Sequence, residues 1–146
     1  MKPVIQTVTG RHGNCFSACL ASIFECDITD VPNFFEVAGD DDALWWGAVR
    51  DWLRARGFGI MFLEIKDPAH IGLFEGWFIV SGKSGRGLDH STVWRDGEMR
   101  HDPHPTKGGL VMPDGIDMIY PLDPAKLSYN APAHGRTSVC PGGAQS

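Results

Sequence analysis

Three short segments carry residue types that can perform nucleophilic chemistry together. Gly13-Asn14-Cys15-Phe16 places a thiol where a loop turns into a helix. The first N–H groups of a helix have no intrahelical partners and favour negative charge, so a cysteine there is a candidate for activation as a thiolate. Asp89-His90-Ser91 supplies an imidazole and His101-Asp102-Pro103 a carboxylate. A thiol attacks a carbonyl carbon when a base takes its proton and a third group holds the base in place. Cys15 is therefore the candidate nucleophile, His90 the base and Asp102 the orienting group. The developing oxyanion also needs donors. The Cys15 N–H is one, and the Gln6 side chain, upstream of the nucleophile, is a candidate second. Asn14 and His12 are alternatives, although Asn14 is also of the type that caps a helix.

The elements needed to bring these groups together are legible in outline. Apolar residues recur at three and four positions from Cys15 to about Cys26 (Phe16, Cys19, Leu20, Ile23, Phe24), which predicts a buried helix. Asp40-Asp41-Asp42 reads as capping and dipole compensation for a second helix over Ala43–Arg56, with Gly57 as its stop. Val4, Ile5 and Val8 suggest a short edge strand. Further strands are expected over 60–65, 77–80, 90–94 and 98–101, with a last one over 117–120. The Asp96-Gly97 pair predicts a tight hairpin between the third and fourth of these. A tight hairpin returns residue 102 to the vicinity of residues 90 and 91, which gives His90 and Asp102 a reason to be neighbours. Helices first and a small antiparallel sheet afterwards predict an α+β fold. One domain over residues 1–127 and a loosely ordered tail over 128–146 are expected.

Around the thiol, His12 and Asn14 in the preceding loop, His104 after the hairpin, and Trp45 and Trp46 on the second helix are candidates for substrate contact. The tryptophans read first as core. His101 precedes Asp102 and on a regular strand faces the other way. A rival reading gathers His90, His101 and His104 into a metal site with Asp102 or Asp89. The four cysteines contain no Cys-x-x-Cys pair, so neither a disulfide framework nor a zinc site is expected, and no cofactor is. The glycine loop at 82–87 lacks the spacing of a phosphate loop.

With 146 residues, 42% of them hydrophobic and 21% charged, the chain has an ordinary globular composition. Its formal net charge of -5 argues against a nucleic-acid partner. No signal-type segment and no run long enough to span a membrane is visible, so a cytoplasmic location without membrane partners is expected.

Over approximately residues 3–105 the chain resembles the papain-like cysteine peptidase superfamily, in particular compact bacterial and phage forms similar to the C39 peptidases that process bacteriocin leaders. The resemblance rests on Gln6, on Cys15 opening the Gly13–Ile23 helix, and on His90 and Asp102 in Asp89-His90-Ser91-Thr92-Val93-Trp94 and His101-Asp102-Pro103. It implies a papain-like fold, a central N-terminal helix on a small antiparallel sheet, and a Cys–His–Asp triad. The implied activity is cleavage of a peptide, isopeptide or related amide in a peptide or protein substrate, through a thioester. The same order of residues also serves transglutaminase-like acyltransferases and deamidases, where the acceptor differs. A noncatalytic interaction module on this fold is the third reading.

Overall fold

The computed structural model describes residues 1–126; the tail expected over 128–146 lies outside them. Three helices come first: α1 (Cys15–Phe24), α2 (Phe34–Ala38) and α3 (Asp42–Arg54). Five strands follow: β1 (Phe58–Glu64), β2 (Trp77–Ser84), β3 (Asp89–Arg95), β4 (Glu98–His101) and β5 (Leu110–Pro121). They form one antiparallel sheet in the order β1-β5-β2-β3-β4. The α+β class is the expected one, with the N-terminal helix packed against the sheet.

Alternation along the strands gives the sheet two apolar faces. Ile79 and Val93 face the helices and meet Phe16, Cys19 and Leu20 of α1, together with Phe34, Val49 and Leu53. Phe78, Val80 and Ile116 point the other way and are covered by Ile65 and Ile71, the latter in the 3-10 segment Pro68–Leu73. A cap for α3 sits where the aspartate run suggested: Asp41 accepts from the Leu44 N–H at 3.0 Å.

Several expectations are corrected. Residues 4–8 form no strand. This segment is instead bonded to its neighbours piece by piece: Val4 N–H to the Ser22 hydroxyl at 2.9 Å, and Gln6 N–H to the Pro103 carbonyl at 2.9 Å. Asn14 occupies the N-cap position of α1 without a side-chain capping bond. Its amide oxygen accepts from the backbone N–H groups of Thr7 and Val8, at 3.0 and 2.9 Å, so it closes the 7–14 loop. α1 ends at Phe24 rather than Cys26, where Glu25 turns to φ 55°. The last strand begins at Leu110, not 117, and runs between β1 and β2. No helix among the described residues is long and apolar enough to cross a membrane.

Candidate active site

Cys15 is the first residue of α1 and is partly buried. The backbone N–H groups of Cys15 and Phe16 reach its sulfur, as the helix-start argument requires, and the backbone and hydroxyl of Ser91 reach it from β3. These groups pull the thiol pKa down, but burial raises it more, so it lies above the ordinary value. The expectation of a thiol lowered by its helix is therefore corrected. The helix supplies donors, but they are outweighed by loss of water, and the resting group is the neutral thiol.

Asp96 and Gly97 both take positive φ, 51° and 79°, and close the β3–β4 hairpin. The strand pairing then slips: Trp94 opposes Met99, while Val93 opposes His101, leaving Arg100 as an extra residue. A slip of one residue exchanges the two faces of a strand. Carried forward, the slipped frame puts Asp102 on the face of Thr92 and His90. An unslipped hairpin would have put it on the face of Ser91. His90 Nε2 lies 2.7 Å from Asp102 Oδ1, with both side chains almost completely buried.

The carboxylate of Asp102 is held on all sides. Its Oδ1 also accepts from the His104 N–H at 2.8 Å, and Oδ2 accepts from the Gly109 N–H at 2.6 Å. Burial pushes its pKa up, but the bonds from His90, His104 and Gly109 outweigh it, so the carboxyl titrates below its ordinary value. With Nε2 of His90 committed to Asp102, Nδ1 is the ring nitrogen left to exchange a proton with a reacting group.

Cys15, His90, Gln6 and His104 line one small cavity with Gly10, Arg86, Leu88 and Asp89. Its volume of about 10 Å³ is close to that of a single water site. Gln6 is 6% exposed. Its Nε2 donates to the Val8 carbonyl at 2.8 Å, while its Oε1 is buried with no partner among the described residues. A Cβ on Gly13 would stand 2.9 Å from Val8 O and 3.2 Å from Gln6 Nε2, so only glycine lets the loop before Cys15 lie against the Gln6 amide. On its other side, Cys15 opens onto a groove of about 300 Å³ walled by Gly10, Arg11, Gly13, Phe35, Asp40, Asp42 and Asp89. The thiol thus stands between a tight cavity holding the imidazole and a groove wide enough for a side chain.

The other expected site residues divide. His104 stands with its ring 5.9 Å from that of His90, edge to face. Its pKa is lowered by burial and then by the positive charge of Arg86. His12 lines neither cavity holding Cys15. Its Nε2 is 2.8 Å from Asp40 Oδ1 and its ring lies 5.3 Å from Phe35, which braces the groove wall from behind. Trp45 lies among Phe16, Phe34, Phe35 and Trp46, and Trp46 borders a separate cleft with Arg50, Ile60 and Phe62. His101 faces away from the pair, its Nε2 2.7 Å from the Val4 carbonyl. Among the described residues no three His, Cys, Asp or Glu side chains are grouped to hold a metal ion.

Sequence reasoning passed over Ser91, Phe35 and Gly109. Ser91 had a signal, since the neighbour of a catalytic strand residue must face the opposite way and meet the helix. Gly109 had none, because a backbone N–H leaves no trace in residue type. No protein-family model, curated protein or solved structure matches this chain.

Proposed function

We propose that the chain is a compact papain-like cysteine hydrolase acting on a peptide, isopeptide or related amide. The observation that carries this reading is the buried His90–Asp102 pair, 2.7 Å apart, opening into the same small cavity as the thiol at the start of α1.

The raised thiol pKa makes His90 a general base rather than the partner of a standing thiolate. The Cys15 sulfur attacks the carbonyl carbon while its proton passes to His90 Nδ1. The carbonyl π electrons move to oxygen, where the Cys15 N–H and the second N–H of Gln6 Nε2 are the donors. Collapse expels the amine, which takes the proton from His90 and leaves the acyl group on sulfur as a thioester. Water then attacks, with His90 again as base, and the acid and the free thiol are released. Throughout, Asp102 holds the ring by Nε2 and stabilises its cationic form. The 300 Å³ groove beside Cys15 is the natural seat for a substrate segment.

The test is labelling by an acyl-type electrophile and turnover of peptide and isopeptide substrates. Cys15→Ser should abolish both, and His90→Ala should slow acylation by about 10²–10⁴-fold. If Cys15→Ser labels and turns over as well as the unaltered protein, the nucleophile assignment is wrong. An added amine acceptor that captures the acyl group faster than water does would move the reading to acyl transfer.

A further inference from the structure

Behind the nucleophile, on the face of the sheet that meets α1, lies a second polar group that the triad does not use. Asp117 on β5 is 1% exposed, and its Oδ1 has no hydrogen-bond partner among the described residues. Its Oδ2 is reached by the Ser81 hydroxyl at 3.4 Å. Ser81 Oγ lies 2.9 Å from Ser91 Oγ, its directly opposite residue on β3. The Ser91 hydroxyl reaches the Cys15 sulfur. Carboxyl and two hydroxyls therefore form one chain across three strands, and its last member, Ser91, is a group that lowers the Cys15 thiol pKa.

We propose that Asp117 is a positioning residue that sets whether Ser91 donates to, or accepts from, the Cys15 sulfur, acting through Ser81. The inference rests on Cys15 being the nucleophile. Each hydroxyl in the chain has one hydrogen, so the direction of donation at one end fixes it at the other. When Asp117 carries its proton, it donates to Ser81, Ser81 donates to Ser91, and Ser91 donates to sulfur, which favours the thiolate. When Asp117 is ionised it only accepts. Ser81 then turns to it, Ser91 turns to Ser81, and the Ser91 oxygen faces the sulfur, which favours the protonated thiol. The buried negative charge works in the same direction.

The surroundings make this proton exchange accessible near neutrality. The carboxyl pKa is raised to about 7, by burial first, with Asp114 of the same strand adding to it and the Ser81 hydroxyl opposing. From α1, Cys19 feels the Asp117 charge. Ile79 of β2 and Phe62 of β1 are its register partners and carry no charge.

The readout is the rate of iodoacetamide alkylation of Cys15 across pH 5–9, followed on the peptide containing Cys15 so that Cys19 and Cys26 do not contribute. It needs no substrate, so its outcome and that of the hydrolase reading are independent. The unaltered protein should show an inflection near pH 7 besides the titration of the thiol itself. Asp117→Asn keeps a donor toward Ser81 at every pH, and Ser81→Ala cuts the chain and frees the Ser91 hydroxyl for the sulfur. Both should remove the inflection and speed alkylation at pH 8 by about tenfold, the low end for one hydrogen bond to a charged group. A residue of merely structural importance would loosen the site without removing the inflection. If either variant, folded by its thermal transition, retains the inflection of the unaltered protein, the proposal is overturned.

Discussion

A thiol whose pKa is raised by burial is a poor nucleophile until something takes its proton, and Cys15 has that character despite its place at a helix start. On the proposed reading, the weight of catalysis falls on His90 and on what orients it. Asp102→Ala would remove the acceptor at Nε2 and let the ring rotate. Acylation should fall by about 10²–10⁴-fold, read as single-turnover kinetics against the thermal transition of the same variant. Gln6→Ala should cost about 10²–10³-fold in kcat if the second N–H of its amide faces the oxyanion, with the Cys15 alkylation rate unchanged. A change in alkylation without a change in kcat would show that Gln6 shapes the loop and not the transition state.

The active geometry depends on irregularities within the elements more than on the elements themselves. The extra residue at Arg100 decides which face Asp102 shares. Deleting Arg100 should restore a regular hairpin with His101 still opposite Val93 and Asp102 still on the face of His90, so turnover should survive. The near-ultraviolet and far-ultraviolet spectra should keep the signature of a folded sheet. Loss of turnover in a folded deletion variant would refute the role given to the slip. Gly13 is the second such feature. Gly13→Ala brings a methyl group within 3.2 Å of Gln6 Nε2 and 2.9 Å of Val8 O. Displacing the Gln6 amide should lower kcat by about 10–100-fold, part of the cost of losing an oxyanion donor outright. The hairpin turn was visible as Asp96-Gly97. The slip three residues later was not, because nothing in Met99-Arg100-His101 marks an unpaired residue.

Across the molecule, the two buried carboxyls pull stability in opposite directions with pH. Asp102 titrates below its ordinary 3.8 when folded, so its contribution is present above that value and lost as pH falls through the folded pKa. Asp117 is raised from 3.8 to about 7, so its contribution is fully present below 3.8 and lost as pH rises through 7. Between 3.8 and 7 the Asp102 contribution is complete while that of Asp117 falls with rising pH, so the two together are most favourable near 3.8. At about 1.4 kcal/mol per pKa unit, Asp117 ionisation removes on the order of 4 kcal/mol by pH 8. Asp117→Asn should flatten the alkaline side of the profile of thermal transition against pH and leave the acid side unchanged. An alkaline side that stays as steep would mean that Asp117 is solvated when ionised.

The class of fold, the opening helix, the α3 cap and the His90–Asp102 neighbourhood were all legible in the chain. Each depends on local physics: apolar spacing at three and four, a carboxylate before a helix, positive-φ residues in a two-residue turn. Only the end of the long central β5, over 117–120, was legible, because Gly108-Gly109 reads as a turn and Pro113 and Gly115 interrupt the strand pattern before it. It is a strand because β1 and β2 lie on either side and satisfy its backbone. The same holds for the site. Residue type and order named Cys15, His90, Asp102 and Gln6 as candidates. That Gln6, Cys15 and His90 line one cavity, that the thiol is raised and not lowered, and that Asp117 stands behind it depend on packing between segments far apart in sequence. Burial and opposing faces are properties of the assembled sheet and helix, and no local pattern of residues carries them.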